Sequence, residues 1–168
     1  MMKIYGMLFT VIIGILLHFT YVWSDRSPFI AVVAPVDGSV FQQLKLLYTP
    51  YMLWALIEYE HYGQFTKNFI PVKAVTLFAG MMVLILLLYL SAKVLRRNVP
   101  WIDLTVFMLS TLAVFCTDYH LTESGLSVMP AATLSGSLLL FLIAMAMSVF
   151  TFYPPDHPLF SDRYRSLN

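Results

Sequence analysis

Four long apolar runs constrain this chain more than any other feature it carries. A helix rises about 1.5 Å per residue, so roughly 20 apolar residues cross the hydrocarbon core of a bilayer. Residues 4–23 carry no charge, and His18 is their one strongly polar group. Residues 72–95 hold Lys73 and Lys93 only at their ends, where long stems reach water. Residues 99–121 are apolar between Asp103 and Asp118, and residues 131–153 have no charge and are bracketed by Pro130 and Pro154-Pro155. Trp23 and Trp101 stand at span ends, the usual place for interfacial anchors.

Composition agrees. Of 168 residues, 60% are hydrophobic and 11% charged, whereas a soluble domain is about half apolar and a quarter charged. The charge that would coat a water-exposed globule is missing. A net charge of +1 points to no nucleic-acid partner. Cys116 is the single cysteine, so no disulfide forms within the chain. Lys3 followed by an apolar stretch and Val22-Trp23-Ser24 loosely imitates a signal peptide. The run exceeds a usual signal core, which favours a retained helix.

A fifth segment, residues 40–59, is shorter in its apolar core, which runs only from Leu46 to Ile57. Its start is well marked: Ser39 with Gln42 three residues on reads as a capping box. Lys45 is placed to snorkel and Glu58 to mark the far interface. The expectation is an all-α, polytopic transmembrane helical bundle of five helices, or four if residues 40–59 lie half-inserted. Residues 1–153 then form one membrane domain, and 154–168 a short polar tail. Residues 28–36 hold two prolines and are too short to span, so a loop against the bundle is expected, with a re-entrant segment as the alternative.

Positive charge orients the chain. Lys93, Arg96 and Arg97 share one connection, and Arg163 and Arg165 lie in the tail. With five crossings these fall on one side together with Arg26, opposite Lys3, Lys67 and Lys73. The positive-inside rule then places the C-terminus in the cytoplasm of a multi-pass cell-membrane protein. The N-terminus is outside with five crossings and inside with four.

Ionisable groups within spans are expensive and mark candidate sites. Glu58, Glu60 and His61 end the second segment; Asp118, His120 and Glu123 end the fourth. Glu58 and His61 share a helix face, as in carboxylate-bridged metal sites, so Glu58, His61, Asp118 and His120 form a candidate metal set or proton relay. Such sites usually repeat the Glu-x-x-His pair, which occurs once here. The bland reading is interfacial polarity with Lys67 or Lys73 as partners. His18 closes a stripe of Gly6, Thr10 and Gly14, whose small residues allow close helix approach. Ala132, Gly136, Ala144 and Ser148 make a similar stripe, so the first and last helices are expected to pack together. His18 reads either as a packed histidine or as a titrating relay. Lys45 lies on the side of Asp37, Asp103 and His18, and an ion pair with Asp103 or simple snorkelling accounts for it.

Two stretches resemble a known family. Residues 35–46, Pro-Val-Asp-Gly-Ser-Val-Phe-Gln-Gln-Leu-Lys-Leu, with Pro50 and Glu58-Tyr59 downstream, are similar to an uncharacterised family of small bacterial membrane proteins. That family's run reads Pro-Val-Asn-Glu-Ser-x-Trp-Glu-His-x-Lys-Leu. Residues 150–155 and 158–160 look like its ending. Gly38 stands where the family has Glu, Phe41 where it has Trp, and Gln42-Gln43 where it has Glu-His. The resemblance implies a membrane location and a shared fold over nearly the whole chain. It supplies no activity, and the departures at Gly38, Gln42 and Gln43 thin any metal-binding or proton-carrying equipment.

No hydrolase, metalloprotease, thiol-redox or phosphate-loop motif is present, which disfavours an enzyme, and the sequence leaves any cofactor unknown. Two classes remain. A non-catalytic accessory, assembly or sensing protein needs only packing surfaces, with lipid and a second copy or another membrane protein as partners. A small transporter or channel would use His18, Lys45, Glu58 and Asp118, although no internal repeat supports it.

Overall fold

The computed structural model describes residues 2–95, 100–124 and 130–162. Five long helices cover the five apolar segments: α1 (Met2–Trp23), α3 (Val40–His61), α4 (Phe69–Leu95), α5 (Pro100–Glu123) and α6 (Pro130–Phe152). A six-residue helix, α2 (Pro28–Val33), lies between the first two, and 3-10 turns occupy Gly63–Phe65 and Pro158–Phe160. No strand occurs among the described residues. The basic connection at Arg96-Arg97 and the tail residues Arg163 and Arg165 lie outside the described residues.

Where a loop was expected, α2 forms. Pro28 occupies its first turn, where a missing N–H costs nothing, and Pro35 follows its end and stops it. Asp25 and Arg26, with φ of 52° and 59°, turn the chain out of α1 toward it.

The five long helices alternate in direction. Gly6 lies against Trp54 and Gly14 against Leu46, so α1 and α3 run antiparallel over their length. Lys73, early in α4, meets Asp118, late in α5. Gly136, early in α6, meets Pro71, early in α4, so those two run parallel. One end of the bundle therefore carries Lys3, Glu58, Lys73 and Asp118. The other carries α2, Lys45, Asp103 and the end of α6.

Helices α1, α4, α5 and α6 are long and apolar enough to cross a membrane; α3 is long enough but less apolar. Its place explains this. α3 packs on α1, α4 and α5, and Gln42, Gln43, Lys45, Thr49 and Glu58 are buried within it. A helix screened by its neighbours answers to protein partners rather than to lipid, so polar side chains are tolerated where they are satisfied. The outer helices show the reverse. Ile4, Leu8, Ile12 and Leu16 of α1 and Leu134, Leu138, Phe141 and Met145 of α6 are exposed, while Lys45, Glu58 and Asp118 are fully buried. Water-soluble proteins bury large apolar side chains and expose charge; α1 and α6 instead leave large apolar side chains exposed while Lys45, Glu58 and Asp118 are buried.

The small-residue stripes find other partners than each other. A methyl group at Gly6 would fall 2.2 Å from Trp54 Nε1 and 2.7 Å from Phe115 Cε1, so α1 presses on α3 and α5. At Gly14 it would meet Phe107 Cζ at 2.5 Å and the Leu46 carbonyl at 2.9 Å. Pro50, inside α3, has no N–H to offer that carbonyl. On α6, Gly136 abuts the backbone of Pro71 in α4. The end of the chain also folds back: Phe160 lies 4.6 Å, ring to ring, from Phe41 at the start of α3.

Candidate functional site

Polar chemistry gathers at both ends of the bundle, in two different forms. At the first end three buried charges and the half-buried Lys3 meet. Lys3 of α1 reaches Asp118 Oδ2 of α5 at 2.6 Å and Glu58 Oε1 of α3 at 3.2 Å. Lys73 of α4 reaches the same Asp118 oxygen at 2.6 Å and also binds Glu58 Oε2. Two cations and two anions thus cancel at a point where four helices converge. Tyr62 lies under the Lys3 ammonium at 5.6 Å and Tyr51 under that of Lys73 at 5.1 Å, adding cation–π contact. Tyr51 is itself held by a 2.6 Å hydrogen bond to Thr76. Removing any one partner strands a buried charge, so the cluster fixes helix register.

The candidate metal set is not assembled here. Glu58 and Asp118 come together, but lysines occupy both. His61 is exposed, with Nδ1 2.8 Å from the carbonyl of Ile57 on its own helix. His120 is exposed beside Tyr119, and Glu60 pairs with Gln64 at 3.2 Å. Among the described residues no three His, Cys, Asp or Glu side chains are placed to hold a metal ion. Lys73 had been a visible partner for these acids. Lys3 had not: nothing local in the sequence links it to Asp118, 115 residues away.

At the second end lies a cavity of about 580 Å³ between the latter half of α1, the turn before α3, and the starts of α3 and α5. His18, Asp37, Gln43 and Asp103 supply its polar lining. Asp103 and Gln43 sit buried at its floor, joined by a 2.9 Å hydrogen bond from Gln43 Nε2 to Asp103 Oδ2. Asp37 and His18 are exposed at its margin. Ile15, Leu46, Leu104 and Phe107 form apolar wall. His18 therefore borders an open space, rather than being packed in a helix interface.

The run that carries the family resemblance builds the rim of this cavity. Ser39 caps α3 by accepting from the Gln42 backbone N–H at 3.2 Å, and Asp37 accepts from the Ser39 N–H at 2.9 Å. Gln42 Oε1 accepts from the Val36 N–H at 3.4 Å. Lys45 neither snorkels nor reaches for Asp103 as expected; its ammonium donates to the carbonyls of Ala31 at 2.5 Å and Ala34 at 3.4 Å. These are carbonyls at the C-terminal end of α2, which carries partial negative charge and lacks intrahelical donors. Thr49 takes the Val33 carbonyl between them at 2.8 Å. Three buried side chains of α3, Gln42, Lys45 and Thr49, thus spend their polarity on holding the 31–36 segment in place.

The class is a helical bundle with buried charge and a largely apolar cavity at one end, four of whose helices are long and apolar enough to cross a membrane. The chain belongs to a family of unknown function, DUF6512, whose model matches residues 2–166. No curated protein and no solved structure matches the chain.

Proposed function

We propose that this is an integral membrane protein that crosses the bilayer five times, with its C-terminal end in the cytoplasm, and that it works by binding a small ligand in the cavity beside His18 and Asp103. The role is accessory or sensing rather than catalytic. The observation that carries the reading is the inversion of polarity: exposed Ile, Leu and Phe on α1 and α6 against buried Lys, Glu and Asp within. A hydrocarbon surround makes that distribution favourable. Shielding of α3 supports its crossing as the fifth span despite its polar residues. Seven of the ten Lys and Arg residues (Arg26, Lys45, Lys93, Arg96, Arg97, Arg163 and Arg165) belong to the cavity end by chain position, which supports a cytoplasmic assignment for that end.

Binding is favoured over throughput because the cavity lies at one end of the bundle, while the Lys3–Glu58–Lys73–Asp118 cluster joins the helices at the other. Transport would require that cluster to part in each cycle. Cysteine labelling tests the reading in a Cys116→Ser background. Single cysteines at His18 and Gly38 should react with a membrane-impermeant maleimide only from the side bearing the C-terminal tail, and one at Thr10 should not react. No labelling at His18 and Gly38 from either side would remove the cavity from the account. Labelling from both sides would favour the transporter.

A further inference from the structure

We infer that the cavity holds one chain of an acyl-ester membrane lipid, with hydrocarbon in its inner half and the ester carbonyl at the level of His18 and Tyr21. The inference deepens the binding role proposed above and rests on it. Helix register sets the depth of the space. Gly6 of α1 meets Phe115 of α5 and Gly14 meets Phe107, so these helices run antiparallel and Val22 stands level with the start of α5 at Trp101. The lining along α1 runs from Gly14 to Val22, which at 1.5 Å per residue is about 12 Å. One leaflet contributes about 15 Å of hydrocarbon. The space therefore matches most of the depth of one leaflet.

Its two halves differ. Gly14, Ile15, Leu46 and Phe107 make up the inner end, where no side chain is polar. An ordered water needs about two to four polar partners, and an empty space would forfeit the dispersion contacts of its lining. A hydrocarbon chain meets both conditions. The opening adjoins the apolar exterior: Phe19, Val22 and Trp101 line the space and are themselves exposed, and Ile12 and Leu16 continue the exposed face of α1. In a bilayer that face meets lipid, so chains of the surrounding leaflet reach the opening without crossing water.

The outer half supplies hydrogen-bond donors. His18, Tyr21 and Trp101 line it, and their side chains make no hydrogen bond among the described residues. The carboxylates, by contrast, are engaged. Asp103 accepts from Gln43, and Asp37 accepts from the Ser39 N–H and interacts with the Lys45 charge. A ligand that brings acceptor oxygens is thus matched. His18 keeps a ring N–H in either neutral tautomer, and its spacing of three from Tyr21 puts both donors on one helix face.

The test uses the full chain in nanodiscs of a diether phosphatidylcholine, which brings no acyl-ester carbonyl. Two probes are added at the same small share of lipid: a monoacylglycerol with a diazirine midway along its chain, and the ether analogue of identical chain. Mass spectrometry maps the photo-adducts. The ester probe should label Leu46 and Phe107, which are 9% and 4% exposed and shielded from bulk lipid, as well as Leu8 and Ile12 on the outer face. Its ratio of inner to outer adducts should exceed that of the ether probe about fivefold, as one modest hydrogen bond provides. In the double variant His18→Phe with Tyr21→Phe the two ratios should converge. Equal ratios in the unmodified chain, or a preference that survives in the double variant, would overturn the inference. Inner adducts absent from a chain that runs as a dimer in native mass spectrometry would overturn it in favour of a second copy at the opening. Inner adducts absent beside successful cysteine labelling at His18 and Gly38 would reject the lipid and leave the binding role standing.

Discussion

Replacing Asp118 by asparagine removes one charge from the four-helix junction while keeping the side chain's shape. Its Oδ2 takes both Lys3 and Lys73 at 2.6 Å. At that distance and an effective dielectric constant of about 20, each contact is worth roughly 6 kcal/mol of gross attraction. Desolvation of four ions and the repulsion between the two lysines offset most of it. What the variant leaves is a net buried positive charge facing Glu58 alone, and breaking a buried pair from one side costs about 3–5 kcal/mol. For a chain of this length that corresponds to a fall in Tm of roughly 6–20 °C. Thermal unfolding in detergent, followed by circular dichroism, measures it. Lys3 is 15% exposed whereas Lys73 is 2% exposed, so Lys3→Met should cost less than Lys73→Met. The double variant Lys3→Met with Asp118→Asn restores neutrality and should be more stable than the sum of the singles by at least about 1 kcal/mol. Strict additivity, or an unchanged Tm in Asp118→Asn, would refute the idea of a coupled network.

Two further substitutions probe the packing and the cavity rim. Gly14→Ala drives a methyl group into Phe107 and the Leu46 carbonyl and should cost about 1–3 kcal/mol, whereas Leu8→Ala on the exposed face of α1 should stay within about 0.5 kcal/mol; melting curves compare them. Lys45→Met strips the ammonium from the α2 carbonyls and should cost about 1–3 kcal/mol, seen as faster hydrogen exchange confined to residues 28–38.

Four helices were legible in the sequence because each is apolar along enough of its length to cross a membrane, as residues 4–23 and 131–153 are. Helix α3 was harder to read for the opposite reason. Hydropathy measures compatibility with lipid, and the first half of α3 is buried among its neighbours, so Lys45 and Gln43 weakened its signal without weakening its structure. Its capping serine, by contrast, acts over three residues and was readable directly. The short helix α2 was missed because two prolines argue against a helix interior, while Pro28 sits at a helix start. Long-range pairing was the least visible. His18, Asp37, Gln43 and Asp103 each stood out as polar groups in apolar surroundings, but their convergence on one cavity depends on how α1 and α5 pack over α3. Lys3 looked like an ordinary flanking charge, and only the antiparallel pairing of α1 with α3 carries it to Glu58 and Asp118.

The account turns on α3 as a full crossing screened by its neighbours, which puts the two ends of the chain on opposite sides of the membrane. Epitope tags at the N-terminus and after Asn168, probed in intact and permeabilised cells, measure this directly. The N-terminal tag should be detected in intact cells and the C-terminal tag only after permeabilisation. Both tags on the same side, or recovery of the protein in the soluble fraction, would contradict it.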